Sequence, residues 1–338
     1  MTDRATPFGS VSSESSGLDA LFLRSEVPSV QEAVARLRAF ALADDPILLE
    51  GETGTGKSHL AIAAHEFSPR RRGPRFDVSL SGLDHDLMHS HLFGHRKGAF
   101  TGATSNHDGL FVQAQGGSLF MDEIGHAQPP LQRALLDVVE NRRVLPLGSK
   151  QYVPMECRML SATNVPLATL VANGQFLDDL RYRVSPFVVR LPSLRERQQD
   201  LPDIFRWFMQ RRAALSYARR PAPALHPDAA RVVAEYTWPG NLREVAGVVA
   251  RLLTLHREAS ELSAEVVTEE IAASGSVART AERPMVPPRP PSGAATDDEI
   301  IAALAACGGK RDVAASMLGI GRSTLFRRLK ALRSKQSA

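Results

Sequence analysis

No run of about 18 apolar residues, the length a membrane-spanning helix needs, occurs anywhere in the 338-residue chain. A membrane span is therefore excluded. Cysteine is nearly absent: only Cys157 and Cys307 are present. That excludes a disulfide framework and a cysteine-rich zinc site, and two free thiols suit the cytosol. The first residues, MTDRATPFGSVSSESSG, hold no basic segment followed by an apolar stretch. A secretory signal is not expected. No internal repeat is visible. What remains is ordinary globular usage, 43% apolar and 23% charged. The length suggests about two domains. Net charge is +4 with an isoelectric point near 9.3. A small basic excess says little until its location is known.

Residues 1–24 are rich in Ser and Gly and are expected to be a disordered tail. From Val27 to Leu42, Val30, Val34, Leu37 and Ala41 recur at helical spacing. Pro46–Glu50 reads as a short buried strand, followed by a Gly-rich turn and a helix over Ser58–Phe67. Further short apolar runs, Phe76–Leu80, Ser118–Met121, Arg158–Ala162 and Phe187–Leu191, alternate with helical patterns such as Leu131–Glu140. This alternation predicts an α/β domain with a parallel sheet over 25–198. From Asp200 to about Ala273 only helical signals occur. Residues 274–295 are rich in Pro, Ser and Ala and read as a linker. A last helical unit fills 296–338.

GETGTGKS at 51–58 fits G-x-x-x-x-G-K-[ST], and it lies after a strand and before a helix, as that loop requires. Its glycines let backbone N–H groups turn toward phosphate oxygens, and the helix N-terminus adds the positive end of its dipole. Gly51, Glu52, Thr53, Gly54, Thr55, Gly56, Lys57 and Ser58 are the candidate nucleotide-binding residues. Lys57 would reach the β- and γ-phosphates of ATP, and Ser58 would ligate Mg²⁺. SLFMDE at 118–123 is an apolar strand ending in two acids. Asp122 would hold the metal, and Glu123 would orient or deprotonate the attacking water.

These residues make the chain resemble the bacterial enhancer-binding proteins, AAA+ ATPases that activate RNA polymerase carrying sigma-54. The resemblance covers about 25–335. Its most specific element is GAFTGA, residues Gly98, Ala99, Phe100, Thr101, Gly102 and Ala103. In that family this hexapeptide tips a loop that contacts sigma-54. Phe100 between two flexible glycines would be an exposed apolar side chain, as a partner contact requires. The resemblance further implies a sensor at SATN, 161–164, where Thr163 and Asn164 would feel the γ-phosphate. LPSLRER at 191–197 matches a family signature. WPGNLREV at 238–245 implies that Arg243 reaches the nucleotide from a helical lid over 199–273. Arg183 would act in trans on a neighbour's nucleotide within a ring, a hexamer by family analogy. Three departures stand out. Leu177 occupies a position where the family carries Arg, which leaves Arg183 or Arg181 to serve. Ser79 stands where an Asn often restrains the catalytic Glu, and His91 stands where an acid is common.

GGKRDVAASMLGIGRSTLFRRLKAL at 308–332 resembles a Fis-type helix-turn-helix. Eight Lys or Arg and one acid, Asp312, lie between Lys310 and Lys335. Such a face is the footprint of DNA binding. Lys310, Arg311, Arg322, Ser323, Thr324, Arg327 and Arg328 are the candidate DNA contacts.

The resemblance thus implies an AAA+ ATPase with a parallel sheet and helical lid, joined to an all-α DNA-binding unit. Its partners would be sigma-54 polymerase, double-stranded enhancer DNA, further copies of itself and possible regulatory proteins acting in trans. Residues 1–24 are too few for a receiver domain, so constitutive competence is expected. Two alternatives remain open: a repressor that keeps the ATPase fold, and an ATP-driven remodeller of another target.

Overall fold

The computed structural model describes residues 22, 25–82, 85–215 and 221–281. Its elements follow one another in the alternating order the sequence implies. Helix α1 (Pro28–Ala41) precedes β1 (Ile47–Glu50), α2 (Lys57–Glu66) and β2 (Arg75–Ser79). Then come α3 (His85–Phe93), a ribbon of β3 (Gly94–His95) and β4 (His107–Asp108), α4 (Leu110–Gln113) and β5 (Ser118–Asp122). Helix α5 (Pro129–Asn141), a second ribbon of β6 (Arg143–Val144) and β7 (Val153–Pro154), and β8 (Arg158–Thr163) follow. Helices α6 (Leu167–Ala172) and α7 (Asp178–Val184) lead to β9 (Phe187–Arg190).

All five expected strands join one parallel sheet in the order β2-β5-β8-β1-β9. Ile47, Leu48 and Leu49 are each buried, so β1 faces protein on both sides. That is why its sequence is a continuous apolar run instead of an alternation. One face of the sheet packs on α1, α2 and the helices beyond β9, and the other on α3, α4, α5 and α7. Helix α1 turns Val30, Ala33, Val34, Leu37 and Ala41 inward, spacings that fall on one helical face.

One buried charge fixes α1 to the sheet. Arg158, 1% exposed at the start of β8, donates to the carbonyls of Phe40, Ala41 and Asp45 at 2.6, 2.7 and 3.1 Å. The last carbonyls of a helix lack internal partners and carry the negative end of its dipole. The guanidinium satisfies that of Ala41 and adds to the Ala43 N–H that already reaches the Phe40 carbonyl at 3.1 Å, and burial lowers its own pKa from the ordinary value.

Beyond β9 lie α8 (Leu201–Leu215), α9 (Pro227–Glu235), α10 (Asn241–Leu255) and α11 (Ala264–Ala281). The purely helical expectation here misses a two-residue parallel pair, β10 (Ala224–Leu225) with β11 (Glu261–Leu262). Two-residue pairs are too short to leave a period in sequence. Helix α11 also runs past Ser274, where the linker is expected to begin. Phe22, within the expected tail, is buried. Among the described residues no helix is long and apolar enough to cross a membrane. The expected DNA-binding unit at 296–338, with its candidate contacts Lys310, Arg311, Arg322, Ser323, Thr324, Arg327 and Arg328, lies outside the described residues.

Candidate nucleotide site and partner loop

The 51–58 turn joins the C-terminal end of β1 to the start of α2 and wraps around Lys57. Lys57 is 8% exposed, and its Nζ donates to the carbonyls of Gly51 and Glu52 at 2.7 and 2.9 Å. Burial lowers its pKa, while Asp122 and Glu123 pull the other way. The ammonium is thus desolvated but faces two carboxylates. Gly54 has φ +81, and a Cβ there would stand 2.5 Å from the Gly240 carbonyl oxygen. Glycine is required both for the left-handed turn and for the approach of the segment before α10.

Asp122 ends β5, and its Oδ1 accepts from the Glu123 N–H at 2.9 Å. Glu123 has φ 56, a left-handed conformation uncommon outside glycine. Such strain costs on the order of 1–3 kcal/mol and concentrates at functional sites.

Lys57, Ser58, Asp122, Glu123, Asn164 and Arg243 line one cavity of about 300 Å³, together with Thr53, Gly54 and Gly56. His59, Phe208, Leu242 and Ala246 complete its wall. None of these four was expected; the last three form an apolar patch on lid helices, which has no sequence signal apart from ordinary core periodicity. Gly51, Glu52 and Thr55 do not line the cavity. Thr55 is buried and its Oγ1 donates to the Glu52 carbonyl at 2.8 Å, so it braces the loop from behind. Asn164 Nδ2 reaches Thr53 Oγ1 at 3.4 Å. Thr163 is turned away: its hydroxyl donates to the Val165 carbonyl at 2.6 Å.

Arg183 lies outside this cavity on α7. Its side chain is 58% exposed, with Glu140 Oε1 at 3.2 Å. Arg181 is bound to Asp178 at 2.8 Å and stacks 3.9 Å from the Tyr182 ring. Arg183 is therefore the more available of the two. Ser79 pairs with Asp122 in the β2–β5 register, and its hydroxyl bonds Ser81 Oγ at 2.9 Å.

The signature at 191–197 holds side chains that brace the 51–58 loop and that sequence reasoning did not single out. Ser193 and Glu196 form a capping box around the short turn Leu194–Glu196. Arg195 binds the Glu52 carboxylate through both terminal nitrogens. Arg197 is 3% exposed, donates to the Thr55 carbonyl at 3.3 Å and lies 4.6 Å from the Phe22 ring centroid. Burial pushes its pKa down to about 10, against the pull of Asp200.

The GAFTGA segment tips the β3–β4 ribbon. The Gly98 N–H donates to the Ala103 carbonyl at 2.8 Å, and Ala103 N–H to the Phe100 carbonyl at 3.0 Å. Phe100 is 42% exposed, resting edge-on against His95 with ring centroids 5.0 Å apart. A Cβ on Gly98 or Gly102 would meet nothing within 4 Å. The second ribbon's loop supports this one: Arg96 N–H donates to the Leu147 carbonyl at 2.9 Å, and Leu147 N–H to that of Gly94 at 3.0 Å.

Three family models match the chain. They are a sigma-54 interaction domain over 23–190, an AAA+ ATPase lid domain over 195–284, and the Fis family of bacterial regulatory proteins over 297–332. The transcriptional regulatory protein ZraR of Klebsiella oxytoca is 36% identical over 311 residues, spanning 89% of this chain and 67% of that protein. The DNA-binding transcriptional regulator NtrC of Azospirillum brasilense is 37% identical over 257 residues, 76% of this chain and 53% of its own. The structure of NtrX from Brucella abortus in complex with ATP matches with a TM-score of 0.66 at 26% identity, covering 91% of this chain and 68% of that one. The chain belongs to the sigma-54-dependent transcriptional activators, with an AAA+ ATPase core, its lid and a Fis-type DNA-binding unit. It is an ATPase that serves transcription activation.

Proposed function

We propose that ATP binds between the 51–58 loop and the lid, and that its hydrolysis moves the 98–103 loop against sigma-54 to remodel the closed promoter complex. The observation that carries this reading is the convergence of Lys57, Ser58, Asp122, Glu123, Asn164 and Arg243 on one cavity. Lys57 holds the β- and γ-phosphates, with the loop N–H groups around them. Ser58 and Asp122 offer a hydroxyl and a carboxylate, the oxygen donors a Mg²⁺ ion prefers. Bound there, Mg²⁺ neutralises charge on the phosphate oxygens. Glu123 orients the attacking water and accepts its proton. Asn164 and Arg243 read the terminal phosphate from the sheet and from the lid. Arg183, exposed on α7, serves a neighbouring subunit's nucleotide in a ring, a hexamer by family analogy.

Gly98 to Ala103 form the contact with sigma-54, with Phe100 as its apolar tip. Lys310, Arg311, Arg322, Ser323, Thr324, Arg327 and Arg328 bind enhancer DNA. The division into a 25–198 core, a lid from 199 that runs on through α11, a linker beyond α11 and a 296–338 reader belongs to the same proposal. So do cytoplasmic location and control by a separate protein. ATP turnover and sigma-54 capture by the full chain test it. Wild type hydrolyses ATP and retains sigma-54 when ADP and a metal fluoride are present, and Lys57→Ala does neither. Wild-type protein inert in both assays overturns the reading.

A further inference from the structure

Between the cavity and the lid lies a polar node built on Asn241, the first residue of α10. Asn241 is completely buried and has φ 53. Its Oδ1 accepts from the Leu194 N–H at 2.8 Å. Its Nδ2 donates to the Thr53 carbonyl at 3.1 Å and to Glu52 Oε2 at 3.2 Å. Next to it, the Leu242 N–H donates to the Gly54 carbonyl at 2.9 Å. One carboxamide thus ties together the phosphate loop, the 194–196 turn and the lid helix.

Glu52 is the other half of the node. Its carboxylate takes Arg195 and Asn241, which together hold its pKa below the usual carboxylate range, Arg195 contributing most. Its carbonyl takes Lys57 Nζ and Thr55 Oγ1. The backbone unit that anchors the phosphate-binding ammonium therefore carries a side chain pinned by the lid. The charged groups acting on Glu52 are Arg195 and Lys57, while Glu196 on the 194–196 turn is held by Ser193 and Glu244 on α10 accepts from the Gly240 N–H and the Tyr236 hydroxyl.

We propose that Asn241 is a positioning residue for Lys57, transmitting the lid's position to the phosphate loop through Glu52. The proposal rests on the ATPase reading above. Only an amide of this length supplies both the acceptor for Leu194 and the two hydrogens for Thr53 and Glu52. Asn also tolerates left-handed backbone better than other non-glycine residues. Packing alone asks for neither property. When the lid shifts about α10, Thr53 and Glu52 shift with it, and the carbonyls that aim Lys57 move as well.

Asn241→Asp tests this in the full chain, with kcat/KM for ATP measured from pH 5.5 to 8.5 beside wild type. The substitution keeps the shape, removes both donors and sets a carboxylate against Glu52. The expected result is a loss of about tenfold at pH 8.5 that narrows to about threefold at pH 5.5. Acid protonates the introduced carboxyl, which then donates to Glu52 again. A ratio to wild type that is flat across this range overturns the proposal, as does a variant equal to wild type. Wild type without turnover overturns the ATPase reading instead. If Asn241→Asp does not fold, Asn241→Gly decides, since glycine keeps the left-handed turn without strain. It lowers kcat/KM several-fold, and adding Glu52→Ala lowers it by less than a further twofold. Fully additive losses overturn the coupling.

Discussion

Gly54 and Gly240 meet where the phosphate loop touches the lid: a Cβ on Gly54 would lie 2.5 Å from the Gly240 carbonyl oxygen. The contact leaves no room for a methyl group, and the atom in the way is backbone. Gly54 also has φ +81. Gly54→Ala therefore strains the loop by about 1–3 kcal/mol and pushes the lid off the cavity. The sheet, remote from this contact, stays folded. ATP turnover falls by at least tenfold while far-ultraviolet circular dichroism is unchanged. Turnover within twofold of wild type would contradict the geometry.

Arg158→Ala strikes the opposite end of the sheet. It removes the guanidinium from the carbonyls of Phe40, Ala41 and Asp45, of which Phe40 keeps the Ala43 N–H as a donor. An unsatisfied buried group costs about 1–3 kcal/mol, so a loss of roughly 3 kcal/mol in urea unfolding is expected. Arg158→Lys recovers only part of it, because a single ammonium cannot span three carbonyls as a planar guanidinium does.

The strands and the phosphate loop were legible because their signals are local. Ile47–Leu49 is an apolar run beside a Gly-rich turn, and Asp122 closes another run. Arg158 was not legible: an arginine opening a buried strand looks like a solvated edge residue until α1 ends above it. Asn241 and Arg195 were equally hidden, for their partners are Thr53 and Glu52, some 140 to 190 residues away. Phe22 falls within the expected tail because the Ser-rich stretch before it is polar and the apolar run Ala20–Leu23 is too short to signal an element. What buries it is Gly56 and Arg197, far along the chain. Local pattern reports local structure; long-range polar anchors leave no period.

Ser79 sits opposite Asp122 at the sheet's C-terminal edge, one residue from Glu123. Its hydroxyl is engaged with Ser81 and is too short to restrain Glu123, the carboxylate proposed to activate water. Ser79→Asn supplies an amide that reaches farther. Basal ATP turnover without sigma-54 is expected to fall several-fold, with stimulation by sigma-54 polymerase restoring it. An unchanged basal rate would show that no such restraint operates here.

Cys157 precedes Arg158 and is fully buried, which pushes its thiol up to about 11. The thiolate is the reactive form, so at pH 7.5 only about one thiol in three thousand is ionised. Iodoacetamide followed by peptide mapping is expected to leave Cys157 unmodified in the native protein and to alkylate it in urea. Because this folded-state pKa is raised, ionisation in strong alkali favours the unfolded chain, and stability declines as pH climbs above the free thiol's ordinary value.

Thr101 follows Phe100 at the tip of the ribbon and is exposed. The loop's own backbone bonds run from Gly98 to Ala103 and from Ala103 to Phe100, and none depends on the Thr101 side chain. Thr101→Ala should therefore leave the ribbon, the cavity and the DNA-binding unit intact. ATP hydrolysis and enhancer binding stay within about twofold of wild type, since surface substitutions of this kind cost little. Promoter opening by sigma-54 polymerase, followed by permanganate reactivity of the melted strands, is expected to be lost. Retained opening would separate this tip from sigma-54, whereas parallel loss of ATP turnover would mean that the ribbon shapes the nucleotide site itself.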